Sequence, residues 1–157
     1  MIDAADTHTA LTFSLDGETF AIPVGHVDEI IDPLPVTRAP NADPFAPGLV
    51  NVRGAIAPFV DLRRRLGMGP AEIGETSRVL VLDLVIEGEP TKVAMLADDV
   101  DEITETAATD LEAVPELGVR WPTHLIRGVA RKDDTLIILL DVDAAFAATP
   151  SQPPLRA

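Results

Sequence analysis

Arg53 is the residue of this chain whose type and setting point most clearly to recognition chemistry. It sits between two short apolar runs, Leu49–Val52 and Ala55–Val60, with Gly54 behind it. Glycine between strands marks a bulge or the close approach of another backbone. An arginine fixed there offers planar donors to a carboxylate or carbonyl. That acceptor is either an Asp or Glu of the same chain or a group on a partner, and the residues alone leave both open. The densest carboxylate group is Asp98, Asp99, Asp101 and Glu102. Strand alternation splits it, with Asp99 and Asp101 on one face and Asp98 and Glu102 on the other. A calcium loop would also need a glycine that is absent here, and the split equally argues against a carboxylate pair cleaving a sugar. His8, His26 and His124 are far apart in sequence and show no metal-ligand spacing. No phosphate-binding glycine loop and no G-x-S-x-G turn is present. No catalytic residue, metal site or cofactor is therefore expected.

Composition narrows the partners. The chain has 157 residues, 46% of them hydrophobic and only 4% aromatic, so its interior must be built from Val, Leu, Ile and Ala. A net charge of −14, from 26 acidic and 12 basic residues, repels phosphate backbones and anionic lipid. A protein partner or a cation is left open. There is no cysteine, hence no disulfide and no thiol chemistry. No secretory signal and no apolar run of membrane-spanning length is visible, which predicts a cytoplasmic protein.

Short elements must position these groups, because 14 prolines and 10 glycines break the chain often. Leu11, Phe13 and Leu15 alternate with polar residues, Asp16-Gly17 turns, and Phe20, Ile22 and Val24 run back. Pro33, Pro35, Pro40, Pro44 and Pro47 predict an extended or looping segment without a central strand. The apolar runs flanking Arg53-Gly54 predict two more strands, after which Asp61 can cap a short helix through Leu66, with Gly67 as its stop. Val79–Ile86, Val93–Leu96 and Leu136–Leu140 predict strands, and Asp141 can cap a last helix over 142–148. The ends, 1–10 and the Pro-rich 147–157, are expected to be flexible.

The two halves repeat one another. Val27-Asp28-Glu29-Ile30 recurs as Val100-Asp101-Glu102-Ile103, 73 positions on; Arg53-Gly54 recurs as Arg127-Gly128, 74 on; and Asp61 recurs as Asp141, 80 on. The extra length is expected around Lys132-Asp133-Asp134. Two small β units follow, each ending in a short helix and each too small to be stable alone. Small closed barrels suit them, because closure removes exposed edges.

The run Asn51-Val52-Arg53-Gly54, with Pro58, Asp61 and Leu62 at fixed spacing, resembles the most specific motif of the CheW-like adaptors of chemotaxis arrays. Phe13 to Ile30, Asp98 to Ile103 and Leu125 to Asp141 support the likeness, which spans 11–146 with markers in 11–67 and 78–146. The resemblance implies a mainly β fold of two interlocked, five-stranded, SH3-like β-barrels with short helices. It implies a non-enzymatic scaffold that couples methyl-accepting chemoreceptors to a chemotaxis histidine kinase at cytoplasmic receptor arrays. The partners implied are the receptor's cytoplasmic tip and the kinase's regulatory domain. Carried over by position, the receptor-binding residues are Val27, Glu29, Ile30, Gly48, Val52 and Arg53. Asn51, Gly54, Pro58, Asp61, Leu62, Gly128 and Asp141 are expected to shape the fold. The pattern is broken where Asp43 precedes Pro44 and where Pro47 precedes Gly48, which bears on the choice of receptor. Because only the first copy has the Asn before and the Pro after its Arg-Gly, the first copy is expected to recognise a partner and the second to maintain the fold. Competing readings are a metal-dependent enzyme built on Asp98–Glu102 and a small-barrel nucleic-acid binder, both disfavoured by the residues above.

Overall fold

The computed structural model describes residues 7–69, 72–107, 112 and 121–147. The expected flexible ends therefore lie largely outside the described residues. Chain order runs β1 (Thr7–Leu15), β2 (Glu18–Pro23), β3 (Val27–Ile31), β4 (Thr37–Arg38), β5 (Gly48–Val52), β6 (Ala55–Val60) and α1 (Leu62–Arg65). It continues with β7 (Arg78–Ile86), β8 (Glu89–Ala97), β9 (Asp99–Ala107), β10 (Ile126–Lys132), β11 (Thr135–Leu140) and α2 (Val142–Ala145). The first strand starts at Thr7 and Ala10 is buried, so order begins earlier than Leu11. The last helix is one turn, shorter than the expected 142–148, although Asp141 does cap it by accepting from the Ala144 N–H. Asp61 likewise caps α1, accepting from the Arg63 N–H, and Gly67 follows at φ +78°.

The strands form two sheets, in the orders β10-β11-β2-β1-β9 and β3-β7-β8-β6-β5-β4. The halves exchange strands. The first half contributes its opening hairpin β1–β2 to the first sheet and β3 to β6 to the second, and the second half does the reverse. The proline-rich connection adds only the two-residue β4 at the edge, making six strands where five were expected.

Pairing repeats in register. Phe13 stands opposite Phe20, as Leu82 stands opposite Val93. Leu139 pairs in parallel with Ala21, as Phe59 pairs with Ala94. The Asp61 N–H donates to the Phe45 carbonyl and the Asp141 N–H to that of Leu125. The last two relations hold 45 to 125 and 59 to 139, an offset of 80 throughout the closing hairpin. This corrects the sequence pairing of Arg53-Gly54 with Arg127-Gly128. Arg53-Gly54 is the β5–β6 turn and its counterpart is the β10–β11 turn, Asp133-Asp134, while Gly128 lies within β10 opposite Leu139 and matches Gly48. The added length precedes β10.

Alternation buries both faces of the central strands. Leu80, Leu82, Val93 and Met95 join Leu11, Phe13, Phe20, Ile22, Ile138 and Leu140 in one core shared by both sheets. On the far face of the second sheet Val50, Val52, Ala57, Phe59, Val79, Val81, Ala94 and Leu96 form their own cluster, and Ala10, Ala21, Ala130, Ile137 and Leu139 do so for the first sheet. Each sheet must curl to cover its inner cluster. Four strand spacings would separate β3 from β5 by about 19 Å in a flat sheet, yet Glu29 and Arg53 are hydrogen-bonded. The same four spacings separate β9 from β10, and there Glu102 meets Lys132.

Candidate interaction site

Arg53 is held by a two-residue hairpin turn in which it has φ +52° and Gly54 has φ +88°. Right-twisted hairpins favour turns with both central residues left-handed, so Gly54 is required by its dihedral. Nothing lies within 4 Å of where its Cβ would be, which replaces the expected close backbone approach. Asn51 explains the first letter of the motif: its Oδ1 accepts the Gly54 N–H at 2.8 Å and fastens the turn. Pro58 lies just before the ladder to β8, which starts at Phe59, so its missing donor interrupts no pairing there. Asp61 and Leu62 serve the helix, and Leu62 is fully buried.

The turn projects Arg53 over the edge strand β3. Its Nε donates to both Glu29 oxygens at 3.0 Å, and Nη2 donates to Oε1 at 2.8 Å. Bidentate pairing of this kind fixes orientation as well as charge. The Glu29 carboxylate raises the affinity of the Arg53 guanidinium for its proton, so the cation is permanent. Of the two acceptors left open by the residues, the structure supplies the internal one. Arg53 is still 75% exposed, against 24% for Glu29, and donors remain available to a partner.

Ile30 follows Glu29 in β3 and Ile56 lies two residues beyond the turn, and both are exposed, as is Leu49 of β5. On the same flank Lys92 bridges Asp28 and Asp83, both at 3.0 Å, and these carboxylates hold its ammonium charged. Thus Glu29, Ile30 and Arg53, expected at a partner surface, share one rim. Three other expected residues do not. Val52 is buried in the inner cluster and Val27 packs half-buried against the shared core. Gly48 is buried too, and a Cβ there would lie 2.3 Å from the Thr37 carbonyl oxygen. Val52 and Gly48 set the position of β4 and β5 from within, and Val27 keeps part of its side chain at the surface at the start of β3. The departure at Asp43 is a local turn, its side chain accepting from the Phe45 N–H at 2.9 Å.

The carboxylate group at the start of β9 is dispersed by different means than alternation. A bulge shifts register between Leu11 and Phe13 of β1. Asp98 turns to Arg63 at 2.8 Å and to the Asp16 N–H at 2.7 Å, while Glu102 pairs with Lys132. Among the described residues no three metal-capable side chains converge. Sequence reasoning missed the Glu102–Lys132 pair, the counterpart of Glu29–Arg53. The offset of 80 would have flagged Lys132 as the residue just ahead of the equivalent turn.

A family model described as the CheW-like domain matches residues 9–149. The chain belongs to the CheW-like family. The chemotaxis protein CheW of Bacillus subtilis is 27% identical to it over 143 residues, 90% of this chain and 88% of that one. The probable chemotaxis protein CheW of Rhizobium etli is 29% identical over 142 residues, 90% of this chain and 89% of that one. The crystal structure of the scaffolding protein TtCheW from Thermoanaerobacter tengcongensis superposes with a TM-score of 0.80 at 26% identity, covering 94% of this chain and 92% of that one. As a CheW-like protein the chain is a chemotaxis adaptor, a scaffold and not an enzyme. No helix among the described residues is long and apolar enough to cross a membrane.

Proposed function

We propose that this adaptor couples the cytoplasmic tip of methyl-accepting chemoreceptors to the regulatory domain of a chemotaxis histidine kinase, in the cytoplasm at receptor arrays. The observation that carries the reading is the convergence of Glu29, Ile30 and Arg53 on one rim, from elements four strands apart. An aliphatic side chain beside a fixed, ion-paired arginine suits a helical hairpin that offers an apolar stripe flanked by carboxylates or carbonyls. Glu29 holds Arg53 in place before binding, which lowers the ordering cost on association. Val27, Gly48 and Val52 support the site from beneath.

Reconstitution tests it. Receptor fragment, kinase and adaptor are combined, and kinase autophosphorylation is followed with wild type and with Arg53→Ala. Activation by wild type and its loss in the variant is the expected result. Equal activation by both would remove Arg53 from the site.

A further inference from the structure

Arg38, Gly48 and Phe59 stand in one row across β4, β5 and β6. Phe59 belongs to the cluster inside the second sheet, so the row lies on the face opposite the core shared by both sheets. A cavity of about 300 Å³ opens there, beside α1. Phe59, Leu96 and Ile73 make it apolar, and Pro44 and Pro47 stiffen one side through their fixed φ. Arg38 and Arg64, both exposed, line it as well.

Both arginines are held at the backbone and free at the guanidinium. Arg38 pairs with Gly48, and the next residue, Ala39, donates its N–H to the Pro47 carbonyl at 3.0 Å. Arg64 lies in α1 and donates its N–H to the Asp61 carbonyl at 3.1 Å. Of the described arginines and lysines, only these two and Arg127 have no ion pair, side-chain hydrogen bond or ring contact. With 26 acidic against 12 basic residues in the chain, such a cation is the exception, and two of the three share one cavity. The one carboxylate in the lining, Asp61, is buried and caps α1, its Oδ1 accepting from the Arg63 N–H. Asp43, beside Pro44, is taken up by the Phe45 N–H.

Two unneutralised guanidiniums over apolar walls suit a ligand with a carboxylate at one end and an aliphatic or aromatic body at the other. The net charge of −14 opposes an acidic polypeptide, whose further carboxylates would lie outside the cavity against the acidic surface. A compact monoanion confines its charge to the arginines. The volume is at the small end of the roughly 300–1,000 Å³ usual for small-molecule sites, which matches a body of one ring or a short chain.

We propose that this cavity binds a small organic monocarboxylate, with Arg38 and Arg64 clamping the carboxylate and Phe59 and Leu96 receiving the apolar body. The site is separate from the Arg53 rim and does not rest on the receptor and kinase reading given above.

3-Phenylpropionate titrated into the full chain tests it, with the uncharged amide and with propionate as controls for the charge and the body. Amide chemical-shift mapping on the wild type is expected to move Arg38, Phe59 and Arg64 and to leave Glu29, Arg53 and Arg127 in place. Arg38→Gln and Arg64→Gln are each expected to weaken binding about fivefold or more, as loss of a charge-assisted hydrogen bond at an exposed site does. Arg127→Gln should stay within about twofold. The amide and propionate should each bind about tenfold more weakly or worse, and a tetraglutamate peptide should not compete. No saturation at millimolar ligand, equal binding of the amide, shifts confined to other residues, competition by tetraglutamate, or indifference to both arginine variants would each overturn the proposal. The wild-type map and the amide control decide the matter even where a variant does not fold.

Discussion

The β5–β6 and β10–β11 hairpins occupy equivalent places in their sheets and end differently. The first closes on Arg53-Gly54, both left-handed, with Asn51 fastening the turn and the arginine reaching across to Glu29. The second closes on Asp133-Asp134, with Asp133 at φ +54°, and its cation, Lys132, sits one residue ahead of the turn. Both hairpins tie the free edge of a curled sheet through a glutamate–cation pair, so that pair belongs to the architecture. Both turns place a side chain in the left-handed region, Arg53 and Asp133; what is particular to the first copy is that the residue there is a bidentate cation. The architecture is shared, and the exposed arginine at the tip is what the first copy adds; its role in recognition is what we propose.

If the halves are joined as described, they should unfold together. Phe20→Ala removes a fully buried ring from the shared core and is expected to cost about 3–5 kcal/mol. Urea melts of the variant should keep a single transition, because each sheet holds strands of both halves. Two separated transitions would show that the exchange does not couple them. A smaller effect isolates the first copy. Gly48→Ala drives a Cβ into the Thr37 carbonyl, where β4 lies against β5, and is expected to cost about 1–3 kcal/mol, measured by the shift of the urea midpoint at constant slope.

Arg53→Gly sharpens the contrast further. Glycine accepts φ +52° without strain, and an exposed ion pair contributes little to folding. Its melting temperature should match or exceed that of wild type while receptor-fragment binding is lost. A variant that both folds as well and binds as well would mean that the tip arginine serves no recognition role. The mildest effect concerns Asp101 of β9, where burial first, and then Asp99 and Glu102, raise the proton affinity of the carboxyl. Because the folded Asp101 carboxyl holds its proton more tightly than an unfolded one, its ionisation disfavours the fold as pH rises above the usual aspartate range. Asp101→Asn should therefore melt slightly higher than wild type near neutral pH, with the gap closing as pH falls through that range. A constant gap across pH would show that the fold does not raise the proton affinity of Asp101.

Much of this was legible in the residues. Alternation at Leu11–Leu15, the Asp16-Gly17 turn, the apolar run of β7 and the capping aspartates Asp61 and Asp141 each determine local geometry, and the elements follow. The exchange of strands was not legible, since β3 pairs with β7 and β9 with β1 through contacts that no local pattern encodes. The letters Arg-Gly misled for a physical reason. In one place they form a turn, and in the other Gly128 is a buried strand residue matching Gly48, so identity of type did not mean identity of role. The inward direction of Val52 was not legible either, because it follows from how the strand that presents Arg53 packs on the second sheet's cluster. The Lys132–Glu102 pair depends on the curl of the first sheet, which follows only from packing.

The claim that the first hairpin tip recognises the receptor and the second does not is tested most directly by one titration. A methyl-accepting receptor tip fragment is titrated into wild type, Arg53→Ala and Lys132→Ala under identical salt. The account predicts that Arg53→Ala loses about tenfold or more in affinity, as expected for removing a charge-assisted bidentate contact, while Lys132→Ala binds as wild type does. Equal losses in both variants, or a loss confined to Lys132→Ala, would contradict it.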